Sequence, residues 1–168
     1  MSISIYEQSI ARMVHMLKNL DAFVSKAEDY ATEKNIQPSA LLQARLFPTM
    51  FNFISQVQVV TDVSKGFAAR MTDTDAPKWD DDEESFEDVH ARIKKALDYL
   101  ATFTPEQFEG SESRELEIKL GSHTVSFTGK SYLLGFVLPN IYFHTATAYN
   151  ILRHNGLDLG KRDYLGEI

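Results

Sequence analysis

Asn140 and His144 stand one helical turn apart in a segment whose apolar residues recur at helical spacing;. On a helical wheel His144 shares a face with Leu133, Val137, Asn140, Ala148 and Ile151, and Thr147 borders that face. An imidazole can take a proton, bind a metal or orient a ligand. A carboxamide one turn away lies within reach of the same partner. A polar pair in an apolar stripe needs hydrogen bonds, because an unsatisfied buried polar group costs about 1–3 kcal/mol. An earlier long helix offers Gln56 and Gln58 at the two edges of its inward face. We expect His144 and Asn140 to be mostly buried and to touch that helix. Two readings stay open on the residues alone: a hydrogen-bonded network with no ligand, or a binding site.

The rest of the chain carries little other chemistry. There is no cysteine, which removes disulfides, cysteine-based zinc sites, iron–sulfur clusters and thiol catalysis;. No G-x-S-x-G, H-E-x-x-H or G-x-G-x-x-G pattern occurs;. Gly129-Lys130-Ser131 resembles the end of a phosphate loop, but Thr124 stands where that loop needs its first glycine;. A turn followed by a helix cap is the reading it supports. Of the five histidines, His15 flanks an apolar stripe, His90 lies among polar residues, and His123 falls in a turn. His154 lies in a last helical turn, where it can meet the free carbonyls.

Four main helices position the candidate residues. Tyr6, Ile10, Met13, Leu17, Leu20, Val24, Ala27 and Ala31 step by four and three, which predicts a first helix from about Ile5 to Lys34;. Pro38 should follow its end. Ser39 can cap a short helix, Ala40 to Leu46. Pro48 then suits the first turn of a second long helix reaching about Met71;. Met50, Ile54, Val57, Thr61, Ser64 and Ala68 form its inward row, flanked by Phe47, Phe53, Val60 and Phe67. A third helix spans roughly Ser85 to Phe103, buried along Phe86, Val89, Ile93, Ala96, Leu97 and Leu100. Thr104 to Gln107 carries a capping-box pattern. From Glu115 to Thr128 the period becomes two, with Leu116, Ile118 and Leu120 alternating with charged residues, which reads as a β-hairpin. The last helix runs from Ser131 to about Asn155, kinked by Pro139 and stopped at Gly156;.

The chain of 168 residues has a net charge of −7, and the acids are concentrated. Between Asp73 and Asp88 nine acidic residues stand against one lysine, which leaves the remainder close to neutral. That linker reads as solvated, its acids favouring the positive end of the third helix, with Trp79 anchoring it. Basic residues form no dense patch, so nucleic-acid binding is not expected. The N-terminal residues lack the pattern of a signal peptide, and no run approaches the ~18 apolar residues of a membrane span. A cytoplasmic location, away from membranes, is the expectation.

A set of short motifs resembles a known family. They are Arg45-Leu-Phe-Pro-x-Met50, Gln56-Val-Gln58, Phe108-Glu-Gly110-Ser, Phe127-Thr-Gly129, Leu138-Pro-Asn140, Tyr142-Phe-His144 and Leu152-Arg-His-Asn-Gly156. Together they resemble the DinB/YfiT-like superfamily, and within it the branch called domain of unknown function nineteen-ninety-three. The resemblance covers nearly the whole chain. It implies a mainly all-α fold: one domain, an up-down four-helix bundle with a β-hairpin inserted before the last helix. Members of the superfamily often hold a divalent metal with three histidines, one from the second helix and an H-x-x-x-H pair from the fourth. Here the matching fourth-helix positions are Asn140 and His144, and the second helix offers Gln56 or Gln58 in place of histidine.

The leading expectation is therefore a small-molecule pocket between helices two and four, formed by His144, Asn140, Gln56, Gln58 and Thr147. Its metal site is degenerate, and no tightly bound zinc is expected. The rival is a divalent-metal-dependent hydrolase or thiol transferase with His144 as a ligand. A third reading is a structural homodimer. Leu138, Tyr142, Tyr149 and Leu152 lie away from the His144 face, and a helix apolar nearly all round must be covered twice;. A partner subunit packed on helix four would cover them, as would the hairpin or the C-terminal tail.

Overall fold

A computed structural model describes residues 4–167; the side chain of Leu120 lies outside the described residues, as do Met1–Ile3 and Ile168. Helix α1, Ile5–Glu33, opens on a capping box in which Ser4 Oγ accepts from the Glu7 amide and Glu7 accepts from the Ser4 amide;. Its apolar stripe from Ile10 to Ala31 is buried, as the spacing predicts. The helix ends where Asn35 turns left-handed at φ 54°. Pro38 then opens a short helix, α2 (Pro38–Leu42), at a position where its missing donor costs nothing;. The expected short helix is thus shifted toward the N-terminus, with Gln37 rather than Ser39 at its cap.

The second long helix, α3, is Phe53–Thr72, five residues later than Pro48 suggests. Asn52 takes the cap, its side chain accepting from the Ser55 amide at 2.9 Å;. Residues 43–52 form an irregular loop instead. Arg45 ties it by donating to the carbonyls of Pro48 and Met50, and the Phe53 amide reaches back to Ala44. Met50 therefore leaves the inward row and Phe47 its flank, with Phe47 60% exposed. From Ile54 onward the row is buried as expected, through Val57, Thr61, Ser64 and Ala68.

The acidic linker is more than solvated chain. Arg92 projects from helix α4 (Phe86–Leu100) with its side chain only 2% exposed. It donates to Thr61 Oγ1, the Asp80 carbonyl, Glu83 and Asp62, and pairs with Asp81 at 2.9 Å. Burial works against its charge, and Glu83, Asp62 and Asp81 outweigh that burial, raising its pKa further;. Trp79 anchors the linker edge-on to Tyr99, with the Lys65 ammonium 4.2 Å above its ring;. At the far end, Ser85 and Asp88 form the capping box of α4.

After two 3-10 turns, strands β1 (Glu115–Leu120) and β2 (His123–Thr128) pair antiparallel, in register from Glu115 opposite Thr128 to Leu120 opposite His123. Gly121 makes the turn at φ 60°. Gly129 begins α5 (Gly129–Tyr132), capped by Thr128. A Cβ at Gly129 would strike the Ser111 carbonyl oxygen and the Met71 methyl, so close packing requires a glycine here;.

A π-turn, Leu133–Val137, leads directly into α6, Leu138–His154. The proline supplies the reason. Pro139 has no amide to offer and its ring displaces a carbonyl one turn back, so the backbone widens, and the Leu138 amide bonds Leu133 five residues away;. The four long helices pack in a ring, α1 against α4, α4 against α3, α3 against α6, and α6 against α1. A last short helix, α7 (Lys161–Leu165), lies back on α1. It is held by the Lys26–Asp163 pair, by Asn19 donating to the Tyr164 carbonyl, and by His15 against the Leu165 carbonyl. No described helix is long and apolar enough to cross a membrane.

Candidate functional site

Packing of α6 against α3 brings two of the expected site residues together. His144 Nδ1 lies 2.6 Å from Gln56 Oε1. The Gln56 amide nitrogen donates to the Phe51 carbonyl at 3.0 Å. A carbonyl only accepts, so Gln56 must turn its nitrogen to Phe51 and its oxygen to His144. His144 Nδ1 therefore carries the hydrogen and donates it, which leaves Nε2 as a bare lone pair. Gln56 is 1% exposed and has no other place to go.

Two aromatic rings flank the imidazole. Phe51 stacks on it, centroids 6.5 Å apart and planes 27° apart. Phe143 meets it edge-on at 5.2 Å and 89°. Both rings are largely exposed, at 57% and 58%. His144 itself is half-buried, less covered than the stripe pattern predicts. Burial lowers its pKa below the ordinary histidine value, so the ring is neutral near pH 7;.

The other expected residues go elsewhere. Asn140 is half-buried and donates to the Phe136 carbonyl of its own helix at 3.2 Å. It repairs the ladder that Pro139 and the π-turn loosen, rather than bonding helix α3. Gln58 faces the linker and donates to Glu83 at 2.7 Å, as part of the Arg92 cluster. Thr147 is buried, its hydroxyl given to the Phe143 carbonyl one turn back. Beside His144, Thr145 is fully buried and its hydroxyl has no partner among the described residues.

The dimer residues also divide. Leu152 is fully buried within the chain. Tyr149 is half-buried, packs against Phe23 and Tyr164, and donates to the Leu159 carbonyl. Leu138 is half-buried, and Tyr142 is 37% exposed. The recesses are also spread out. A recess of 480 Å³ is lined by Tyr6, Phe108, Lys130 and Leu133, and a groove of 590 Å³ by His15, Met16, Tyr142 and Tyr164. Neither includes His144.

Phe51 and Phe143 escaped the sequence reading for different reasons. Phe51 sits in a stretch that Pro48 assigns to a helix. The available signal was Asn52, three residues before Ser55, a better N-cap than anything near Pro48;. Phe143 looks like an ordinary off-face residue until the ring of His144 is placed beside it.

The donor set fits a tightly held zinc ion poorly. His144 Nε2 is one good ligand, and a ligating histidine does hold its other N–H in this way. The groups at the neighbouring family positions are amides, which are weak neutral ligands. Both ends of Gln56 are committed, and the Asn140 nitrogen is committed to Phe136. Among the described residues no three His, Cys, Asp or Glu side chains converge.

A ring of four long helices with a hairpin before the last, and a histidine reaching from the last helix to the second, defines a DinB-type bundle. The chain is similar to a DinB family member protein from Shewanella denitrificans of known crystal structure. The two share 37% identity and a TM-score of 0.89, over 98% of this chain and 93% of that one. The chain belongs to the family described as Domain of unknown function (DUF1993), whose model matches residues 5–165. No curated protein matches it.

Proposed function

We propose that this protein binds a small organic molecule at His144, between α3 and α6, without a tightly held metal ion. The observation that carries this reading is the chain of bonds from the Phe51 carbonyl through Gln56 to His144 Nδ1. It holds a neutral imidazole in one tautomer and leaves Nε2 as an acceptor with no hydrogen-bond partner among the described residues. The two exposed rings beside the imidazole suit a flat apolar partner;. The ligand chemistry that follows is a neutral aromatic group carrying an O–H or N–H donor.

Calorimetric titration of the untagged protein with phenol and, separately, with zinc tests this. Phenol should give saturable binding that His144→Ala abolishes, and zinc should bind weakly. Absence of binding by phenol and by other neutral aromatic donors would overturn the ligand reading. One equivalent of tightly bound zinc, lost in His144→Ala, would favour a metal-dependent enzyme of the DinB type instead.

A further inference from the structure

The short helix α7 is placed by polar bonds rather than by the core, since none of its residues is buried. Lys26 pairs with Asp163, and the buried Asn19 amide donates to the Tyr164 carbonyl. A carbonyl only accepts, so His15 gives its Nε2 hydrogen to the Leu165 carbonyl;. Fastened in this way, α7 stands as a wall. Together with α1 and α6 it bounds the groove of 590 Å³, a size that takes a small molecule;.

The lining of this groove is selective. Met16 and Leu165 are apolar, and the rings of Tyr142 and Tyr164 lie along it. No carboxylate lines it, and its one fixed charge is Arg12. Arg12 spends only its Nε, on Gln8 Oε1 at 3.3 Å, and no acid pairs with it among the described residues. Its terminal nitrogens are left open beside an apolar, aromatic-lined space. The recess of 480 Å³ makes no such choice, because Lys130 shares its lining with Glu109 and Glu112.

We infer that the groove between α1, α6 and α7 binds a small aromatic carboxylate, the anion on Arg12 and the ring system against Tyr142 and Tyr164. The planar guanidinium fork matches a carboxylate through two parallel bonds. The two tyrosines offer flat faces to an aromatic ring. Because the bonds to Lys26, Asn19 and His15 already hold the α7 wall, little ordering remains to oppose binding;. This site shares no residue with the one at His144 and does not rest on the ligand reading there.

Calorimetric titration of the full chain with 2-naphthoate tests this, with 2-naphthamide as the neutral counterpart of the same shape. Naphthoate should bind saturably, about ten-fold or more tightly than the amide, and its affinity should fall as salt rises. Arg12→Gln should weaken it by about ten-fold or more, and Tyr142→Ala by several-fold. Lys94→Gln removes the same charge from the exposed side of α4 and should leave binding unchanged. Arg12 and Tyr142 are exposed, and circular dichroism checks that their variants fold. Absence of binding by both naphthoate and benzoate overturns the inference. So does an affinity that Arg12→Gln leaves unaltered, or equal affinity for acid and amide. Sedimentation tests the other occupant, a second copy: a dimer that Tyr142→Glu dissociates and that takes up no naphthoate also overturns it.

Discussion

Replacing Gln56 by leucine should remove the device that holds His144 while keeping the volume of the side chain. Two hydrogen bonds disappear, to His144 Nδ1 and to the Phe51 carbonyl. Each orphaned polar group costs about 1–3 kcal/mol when fully buried. Phe51 is mostly exposed, so water replaces the bond to its carbonyl and its share is small. His144 is half-buried, which places its share in the lower half of the range. The expected net loss is about 1–2 kcal/mol, or roughly 2–6 °C in Tm for a chain of this size. Urea denaturation measures it. A double-mutant cycle with His144→Phe isolates the pair: in that background Gln56→Leu should cost about 1 kcal/mol less, because the imidazole donor is already gone. Equal costs in both backgrounds would refute the claim that Gln56 acts through His144.

Three further outcomes follow. His144 titrates below the ordinary histidine value because it is buried, so between about pH 6.5 and its folded pKa the unfolded chain binds more protons;. Stability should therefore fall as pH drops through that window and level off below it, and His144→Phe should flatten this part of a pH-dependent denaturation series. Arg92→Met leaves Glu83, 8% exposed, without its cation, and should cost about 3 kcal/mol;. This is the low end for a broken buried pair, since Asp62 and Asp81 keep water, and limited proteolysis within 73–85 should speed up. Thr145→Val replaces a buried hydroxyl that has no partner by a methyl of the same shape, and should stabilise by about 1 kcal/mol or more in thermal melts;.

Much of the scaffold was legible because single rules governed it. The stripe from Ile10 to Ala31 had no competing signal, the row from Phe86 to Leu100 marked α4, and the change to period two announced the hairpin. Prediction failed where two local rules competed. Pro48 and Asn52 both suit a helix start, and the Asn52 side-chain bond won while Arg45 satisfied the turn before it. At Pro139 the sequence announced a disturbance but not its form, a π-turn before the proline with the Asn140 amide bonded back to the Phe136 carbonyl. Within the site, the sequence offered Gln56 and Gln58 equally. They are two positions apart, so a helix points them about 200° from each other, and only three-dimensional packing sends one to His144 and the other to Glu83. Arg92 was hidden for a related reason: its acidic partners lie up to thirty residues away, on α3 and in the linker.

The proposed function requires His144 to be neutral, protonated on Nδ1, with Nε2 free to accept from a ligand. Nitrogen-15 spectroscopy of the histidine rings at neutral pH measures this directly, with His144→Ala supplying the assignment. We expect a His144 ring with a proton on Nδ1, an unprotonated Nε2, and an Nε2 resonance that moves when phenol is added. A proton on Nε2, a charged ring at neutral pH, or an Nε2 signal indifferent to phenol and to other aromatic donors would contradict it.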